Sequence, residues 1–270
     1  MPIHDDKVSI AVDGEHIEGT IVTPGTRLPG VLFVHGWNGS QEQYLARARE
    51  IAALGCICLT FDLRGHAGTK PLKDTVSREN NLRDVLAAYD LLAGQRHVDP
   101  DAIAVVGSSY GGYLAAILTT LRPVRWLALR VPALYMDNNW ETPKLQLHKD
   151  QDLASYRQSL VSANDNRALR ACADYEGDVL VVESERDTVI PHAVISNYLE
   201  ACVKPRSLTY RVLKGADHGL TEVAAQRAYT ALLVNWFTEM VFGEREGQGH
   251  LTQTATMPGT ALPEAPPTPA

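Results

Sequence analysis

Three residues of this 270-residue chain have the types and placement to carry acyl transfer: Ser109, Asp187 and His218. Ser109 is the centre of Gly107-Ser108-Ser109-Tyr110-Gly111, inside the stretch AVVGSSYGGYLAA over residues 104–116. A run of small apolar residues leads into it and a helix-like run leads out. A serine on so tight a strand-to-helix turn takes a strained backbone, so the residues two before and two after must be small. The turn lifts the hydroxyl clear of a sheet. It also leaves the N–H of Tyr110 free at a helix N-terminus, where developing negative charge is favoured. A serine nucleophile needs a base, and the base needs a group to orient it. VVESERDTVIP delivers Asp187 just past one strand-like run, and VLKGADHGL delivers His218 just past another. In that arrangement Ser109 attacks an acyl carbon and His218 takes and returns the proton. Asp187 holds the imidazole and stabilises its cation.

Other readings of the same residues fail on chemistry. A phosphate-binding P-loop would need a lysine and a Ser or Thr after Gly112, where Tyr113 and Leu114 follow. A dinucleotide fingerprint needs Gly-x-Gly at its start, and Gly107 is followed by Ser108 and Ser109. Ser108 fills the variable position of the motif and should turn away. His35 precedes a glycine in HGWNGS and is expected to orient that loop. His66 and His192 read as structural or solvated, and His148, in the cap, either touches substrate or fills an exposed polar role. Asp217 adjoins His218, where neighbouring side chains diverge. Glu183 and Glu185 are the rivals to Asp187, because strand ends are uncertain by several residues.

The elements that must position these residues alternate. VSIAVDG and HIEGTIVTP read as strands around the turn Asp13-Gly14. GVLFVHG is an apolar strand with no polar face, the mark of a sheet covered on both sides. A helix follows with Ser40 as its N-cap, Gln43 in the capping-box position and Gly55 as its stop. CICLTFD reads as the next buried strand, and the next helix runs from a cap at Ser77 to Gly94. Then come AIAVVG, a helix from Gly111 to Leu121, and the strand VRWLALRVP. Residues 132–163 are far too long for an ordinary connection of roughly 2 to 6 residues and read as a short cap insertion. After them come a helix capped near Asn164 or Asp165, the strand DVLVVES, a helix after Pro191, the strand SLTYRVL and a last helix from Glu222 to Phe242. Strands alternating with helices give an α/β fold with a mostly parallel, doubly covered sheet. One domain is expected over residues 1–243, and residues 244–270, rich in Pro, Thr and Ala, read as a disordered tail.

Charge and composition narrow the classes further. The 25 Lys and Arg against 32 Asp and Glu give a net charge of −7 with no basic patch, which argues against a nucleic-acid partner. The N-terminus lacks the pattern of a signal peptide, and no apolar run approaches the roughly 18 residues of a membrane span. Cys56 and Cys58 alternate on one strand and should share a core face. Cys172 and Cys202 lie on predicted helices without metal-ligand spacing. These features predict a cytoplasmic protein with structural cysteines, no metal and no membrane partner.

The motifs resemble those of the α/β-hydrolase superfamily, over about residues 8 to 243. GSSYGGY is similar to the nucleophile elbow of prolyl-oligopeptidase-type serine peptidases, whereas HGWNGS and the chain length resemble dienelactone-hydrolase-like enzymes and small carboxylesterases. FDLRGHAGT resembles the Asp-x-Arg-Gly-His-Gly loop of these hydrolases, with Ala67 before the second glycine. The resemblance implies an oxyanion hole from the backbone N–H groups of Trp37 and Tyr110. It also implies a small-molecule ester as substrate and no cofactor. The indole of Trp37, with Tyr135 and Trp140 from the cap, is expected either to narrow an acyl pocket or to pack the cap onto the body. An aminopeptidase or amidase, a thioesterase, and a catalytically inactive binding protein on the same scaffold are the alternatives.

Overall fold

In the computed structural model, which describes residues 3–12, 15–24 and 27–243, the two opening runs pair as expected. Strand β1 (Ile3–Val12) lies antiparallel to β2 (Glu15–Pro24), with Val12 opposite Glu15. The turn Asp13-Gly14 and the tail 244–270 lie outside the described residues.

The remaining strands form one parallel sheet. They are β3 (Leu28–Val34), β4 (Ile57–Thr60), β5 (Val98–Ser108), β6 (Trp126–Arg130), β7 (Asp178–Ser184) and β8 (Ser207–Leu213), in spatial order β4-β3-β5-β6-β7-β8. Helices α1 (Glu42–Ala53), α2 (Arg78–Ala93), α3 (Tyr110–Leu118), α4 (Lys144–Asp150), α5 (Leu153–Gln158), α6 (Arg167–Asp174), α7 (His192–Ala201) and α8 (Val223–Phe237) connect or follow them. The period of two along each strand sorts the core into two layers. Leu32, Val34, Val105, Leu127, Leu129, Val179 and Val181 pack with α2, α3, α6 and α7. Val31, Phe33, Ala104, Val106, Trp126, Ala128, Leu180 and Val182 pack with α1 and α8. Continuous apolar strands are thus explained by burial on both faces.

Several boundaries differ from expectation, each for a local reason. CICLTFD yields only the four residues of β4, all half-buried, because this strand ends the spatial order with β3 as its neighbour. Helix α1 begins after Gln41 rather than Ser40, and no side chain caps it. Gln41 is instead tied to Asp62, which accepts from its backbone N–H and its side-chain amide, both at 2.8 Å. Ser77 caps α2 as expected, in a reciprocal box with Asn80. The cap of α6 is Asn166, whose Oδ1 accepts from the N–H groups of Ala168 and Leu169 at 3.0 and 3.2 Å, after a short 3-10 turn over Ala163–Asp165. Helix α3 starts at Tyr110, one residue earlier than predicted, and ends at Leu118.

The excursion after β6 holds two short helices, α4 and α5. Buried polar groups pin its first residues. Arg78 of α2 donates to the carbonyls of Met136 (2.7 Å) and Asn138, Arg157 of α5 to that of Leu134 (3.2 Å), and Asn166 to that of Tyr135 (2.8 Å). Among the described residues no helix is long and apolar enough to cross a membrane.

Candidate active site

The carboxyl ends of β5, β7 and β8 bring Ser109, Asp187 and His218 together. Ser109 follows β5 with φ +52° and ψ −119°, a conformation that costs a residue with a side chain on the order of 1–3 kcal/mol. The surroundings hold it there. Its N–H donates to the Arg130 carbonyl at 2.9 Å, and its carbonyl accepts from Tyr113 (3.1 Å) and Ala133 (2.9 Å). The small residues of the turn are required by close approach. A Cβ at Gly107 would lie 2.5 Å from the Gly111 carbonyl oxygen; one at Gly111 would lie 2.5 Å from that of His35 and nearer still to that of Val34.

From the half-buried Ser109 a hydrogen-bonded chain runs inward. His218 Nε2 is 3.1 Å from Ser109 Oγ, and His218 Nδ1 is 2.7 Å from Asp187 Oδ2. Asp187 Oδ1 accepts from the N–H groups of Val189 and Ile190, each at 2.8 Å. Burial pushes the Asp187 carboxyl up, but the His218 hydrogen bond and these two N–H groups outweigh it and hold it below the usual carboxylate range. The Asp187 side chain is 3% exposed against 24% for His218, so the acid is shielded while the imidazole is partly open to solvent. Arg130 donates to the His218 carbonyl at 2.6 Å, fixing the loop that carries it.

The rival residues turn elsewhere. Ser108 is buried on the opposite face of the sheet from the α3 layer. Glu183 meets His192 and Tyr210, and Glu185 meets Lys214 and the N–H of Gly215. Asp217 accepts from Thr221. His35 orients its loop: Nδ1–H donates to the Gly36 carbonyl (2.8 Å) and Nε2 accepts from Leu63 N–H (3.0 Å). His66 is buried rather than solvated, and its Nε2 accepts from Asn38 N–H at 3.2 Å. Gly36 lies against Ser109, since a Cβ built there would be 3.2 Å from the serine Cβ and 3.8 Å from its Oγ.

The three aromatic residues expected at the acyl side part company. The Trp37 ring is half-buried, edge-on to Tyr110 at 5.6 Å and to His66 at 4.7 Å. Tyr135 is fully buried within the core. Trp140 stacks on Tyr113 at 6.1 Å, with the guanidiniums of Arg78 and Arg167 at 4.8 and 4.6 Å from its ring. Tyr135 and Trp140 both pack against residues of the body.

Sequence reading missed Lys144, 1% exposed, whose Nζ lies 4.2, 4.7 and 5.0 Å from the rings of Trp37, Tyr110 and Tyr135. One lysine in a polar stretch carries no pattern that would mark it. A cleft of about 600 Å³ opens beside the acid, between α5 and the loop from Asp187 to Pro191, with Gln151 and Arg157 on its wall. Among the described residues no three His, Cys, Asp or Glu side chains converge to hold a metal.

Known proteins share this sequence pattern and fold. The sequence profile of the prolyl oligopeptidase family matches residues 40–243. The Mycobacterium tuberculosis protein Rv2307c is 27% identical over 243 residues, covering 88% of this chain and 81% of that protein. A dienelactone hydrolase from Anabaena variabilis superposes with a TM-score of 0.53 at 19% identity, covering 88% of this chain and 98% of that one. Est1E from Butyrivibrio proteoclasticus, solved with ferulic acid, gives 0.58 at 16% identity, covering 80% and 90%. At these identities the likeness to the solved structures is one of fold.

Proposed function

Because the chain belongs to the prolyl oligopeptidase family and is a hydrolase of the α/β fold, we propose that it is a serine hydrolase cleaving carboxylic esters of small substrates through an acyl-enzyme. The observation that carries this reading is the chain of hydrogen bonds from Ser109 Oγ through His218 to Asp187. Ser109 Oγ attacks the ester carbon while His218 Nε2 takes its proton. The oxygen that becomes negative is received by the N–H groups of Trp37 and Tyr110; one such donor is typically worth roughly 3 to 4 kcal/mol in the transition state. Collapse expels the alcohol, protonated by His218, and leaves the acyl group on Ser109. Water then repeats the sequence with His218 again as base, releasing the acid. Asp187 stays ionised throughout, which its lowered pKa supports.

A fluorophosphonate probe is expected to label the full chain once, at Ser109, and Ser109→Ala to lose both label and turnover. Peptide mapping that places the label on Ser108, or an unlabelled but active protein, would overturn the assignment. The family match favours a second reading, amide hydrolysis on the same three residues. Comparing kcat/KM across p-nitrophenyl esters, aminoacyl amides and acyl thioesters decides between them, because only a peptidase-like enzyme should turn over amides at rates near its ester rates.

A further inference from the structure

The alternation that builds the sheet also builds a second polar cluster, behind the serine turn. Ala104 and Val106 of β5 face α1 and α8, and two residues on Ser108 keeps that facing. Trp126 and Ala128 of β6 share it, and Arg130, which pairs with Ser108 across the two strands, extends it. Tyr44 and Arg47 of α1 and Tyr229 of α8 close over them. With Leu220 they line the floor of a pocket of about 320 Å³ whose rim is made by the exposed Glu42, Gln43, Gly219 and Gln226.

This cavity is cationic and incompletely satisfied. Arg47, Ser108, Arg130 and Tyr229 are 8, 3, 6 and 1% exposed. Both guanidiniums approach the Tyr229 ring, Arg47 Cζ at 5.1 Å and Arg130 Cζ at 5.6 Å from its centroid. The hydrogen bonds both arginines make go to neutral acceptors: Gln43 O for Arg47, and Ser184 Oγ and His218 O for Arg130. Arg47 Nε, Arg130 Nε, Ser108 Oγ and Tyr229 Oη have no hydrogen-bond partner among the described residues. Ser108 lies near Tyr229, yet the two hydroxyls do not meet hydrogen-bond geometry. The two buried guanidiniums repel each other and have lost hydration; Asp187 acts on Arg130 through its charge but accepts none of these hydrogen bonds, so a cost remains that a bound anion offsets. The planar guanidinium fork fits the oxygens of phosphate or carboxylate better than a spherical ion.

We propose that this cavity is a binding site for a small oxyanion of the phosphate or carboxylate class, held by Arg47 and Arg130 with the hydroxyls of Ser108 and Tyr229 as further donors. Binding there does not depend on the hydrolytic reading. Its consequence for turnover does, because Arg130 also holds the carbonyl of His218, so an occupied site would stiffen the loop of the candidate base.

The test is calorimetric titration and thermal melting of the full chain with sodium phosphate and sodium acetate, against sodium chloride at equal ionic strength. At least one oxyanion should bind with unit stoichiometry and raise Tm with the logarithmic concentration dependence of a ligand specific for the folded state. Arg47→Gln should weaken that binding at least about tenfold, the usual worth of a buried charge-assisted hydrogen bond. Tyr229→Phe, which keeps the ring and removes only the hydroxyl, should weaken it several-fold, and this variant decides should Arg47→Gln fail to fold. Oxyanions that raise Tm no more than chloride, or Arg47→Gln and Tyr229→Phe proteins that bind like the wild type, would overturn the site.

Discussion

Ser109 keeps a left-handed φ of +52° without being glycine, and its three backbone hydrogen bonds explain how. The strain is local, so its requirement for Gly107 and Gly111 is written in adjacent letters and is legible in the sequence. Asp187 and His218 were legible for a related reason, since each follows the last apolar residue of a strand. Geometry then separates Asp187 from Glu183 and Glu185, which boundary uncertainty alone left open. In the proposed mechanism Asp187 acts by position: it faces His218 Nδ1 and accepts two N–H groups. Asp187→Asn should therefore retain the fold and lower kcat on a simple ester by something on the order of 10⁴-fold, as amidating the acid does in another such triad. Steady-state kinetics beside a circular dichroism spectrum measure this. Near-normal turnover would dismiss Asp187 as the orienting group.

At the scale of elements, the inner strands β3, β6 and β7 were the most readable because burial on both faces leaves each as a largely apolar run. Helix starts were less so. Ser77 caps α2, whereas Ser40 does not cap α1, since the contact of Gln41 with Asp62 is made across 21 residues and no local pattern encodes it. The segment after β6 was legible only as an interruption. Its anchors, Arg78, Arg157 and Asn166, reach backbone carbonyls made available by tertiary packing, and such partners leave no period in the sequence. Trp140 belongs to this anchoring set, stacked on Tyr113 with the guanidiniums of Arg78 and Arg167 close to its ring. Trp140→Ala should therefore destabilise the protein by about 2–3 kcal/mol, below the roughly 3–5 kcal/mol of a fully buried tryptophan because this ring is half-exposed. Its preference along a C2 to C12 ester series should stay where the wild type has it. Unfolding in urea gives the first quantity and kcat/KM the second. A shifted chain-length optimum with unchanged stability would return Trp140 to the acyl pocket.

Over the whole molecule, the loops at the carboxyl edge of the sheet are tied down by imidazoles that must stay neutral. His35 and His66 are buried with ring centroids 4.9 Å apart, and each uses Nε2 to accept a backbone N–H from another loop residue. Burial lowers both, and His66, further lowered by His35, is brought down to about 4. A histidine whose folded pKa is below its unfolded value of about 6.5 binds fewer protons folded than unfolded between the two. The stability it confers is therefore complete above about pH 6.5, falls as pH drops through that interval, and is lost below the folded pKa. Asp187 adds to the same trend at lower pH. Its carboxyl is depressed when folded, so its contribution is present above the unfolded carboxylate value of about 3.9 and is lost as pH falls through the folded one. Wild-type Tm should accordingly decline from pH 6.5 to 4. His66→Gln offers an acceptor to Asn38 N–H but cannot titrate. It should be less stable than the wild type at pH 7, and the gap should close by up to about 1.4 kcal/mol per pH unit on acidification. Melts at half-unit pH steps for both proteins give the two slopes directly. Parallel slopes between pH 6.5 and 4 would mean that protonation of His66 is not what loosens the molecule in acid.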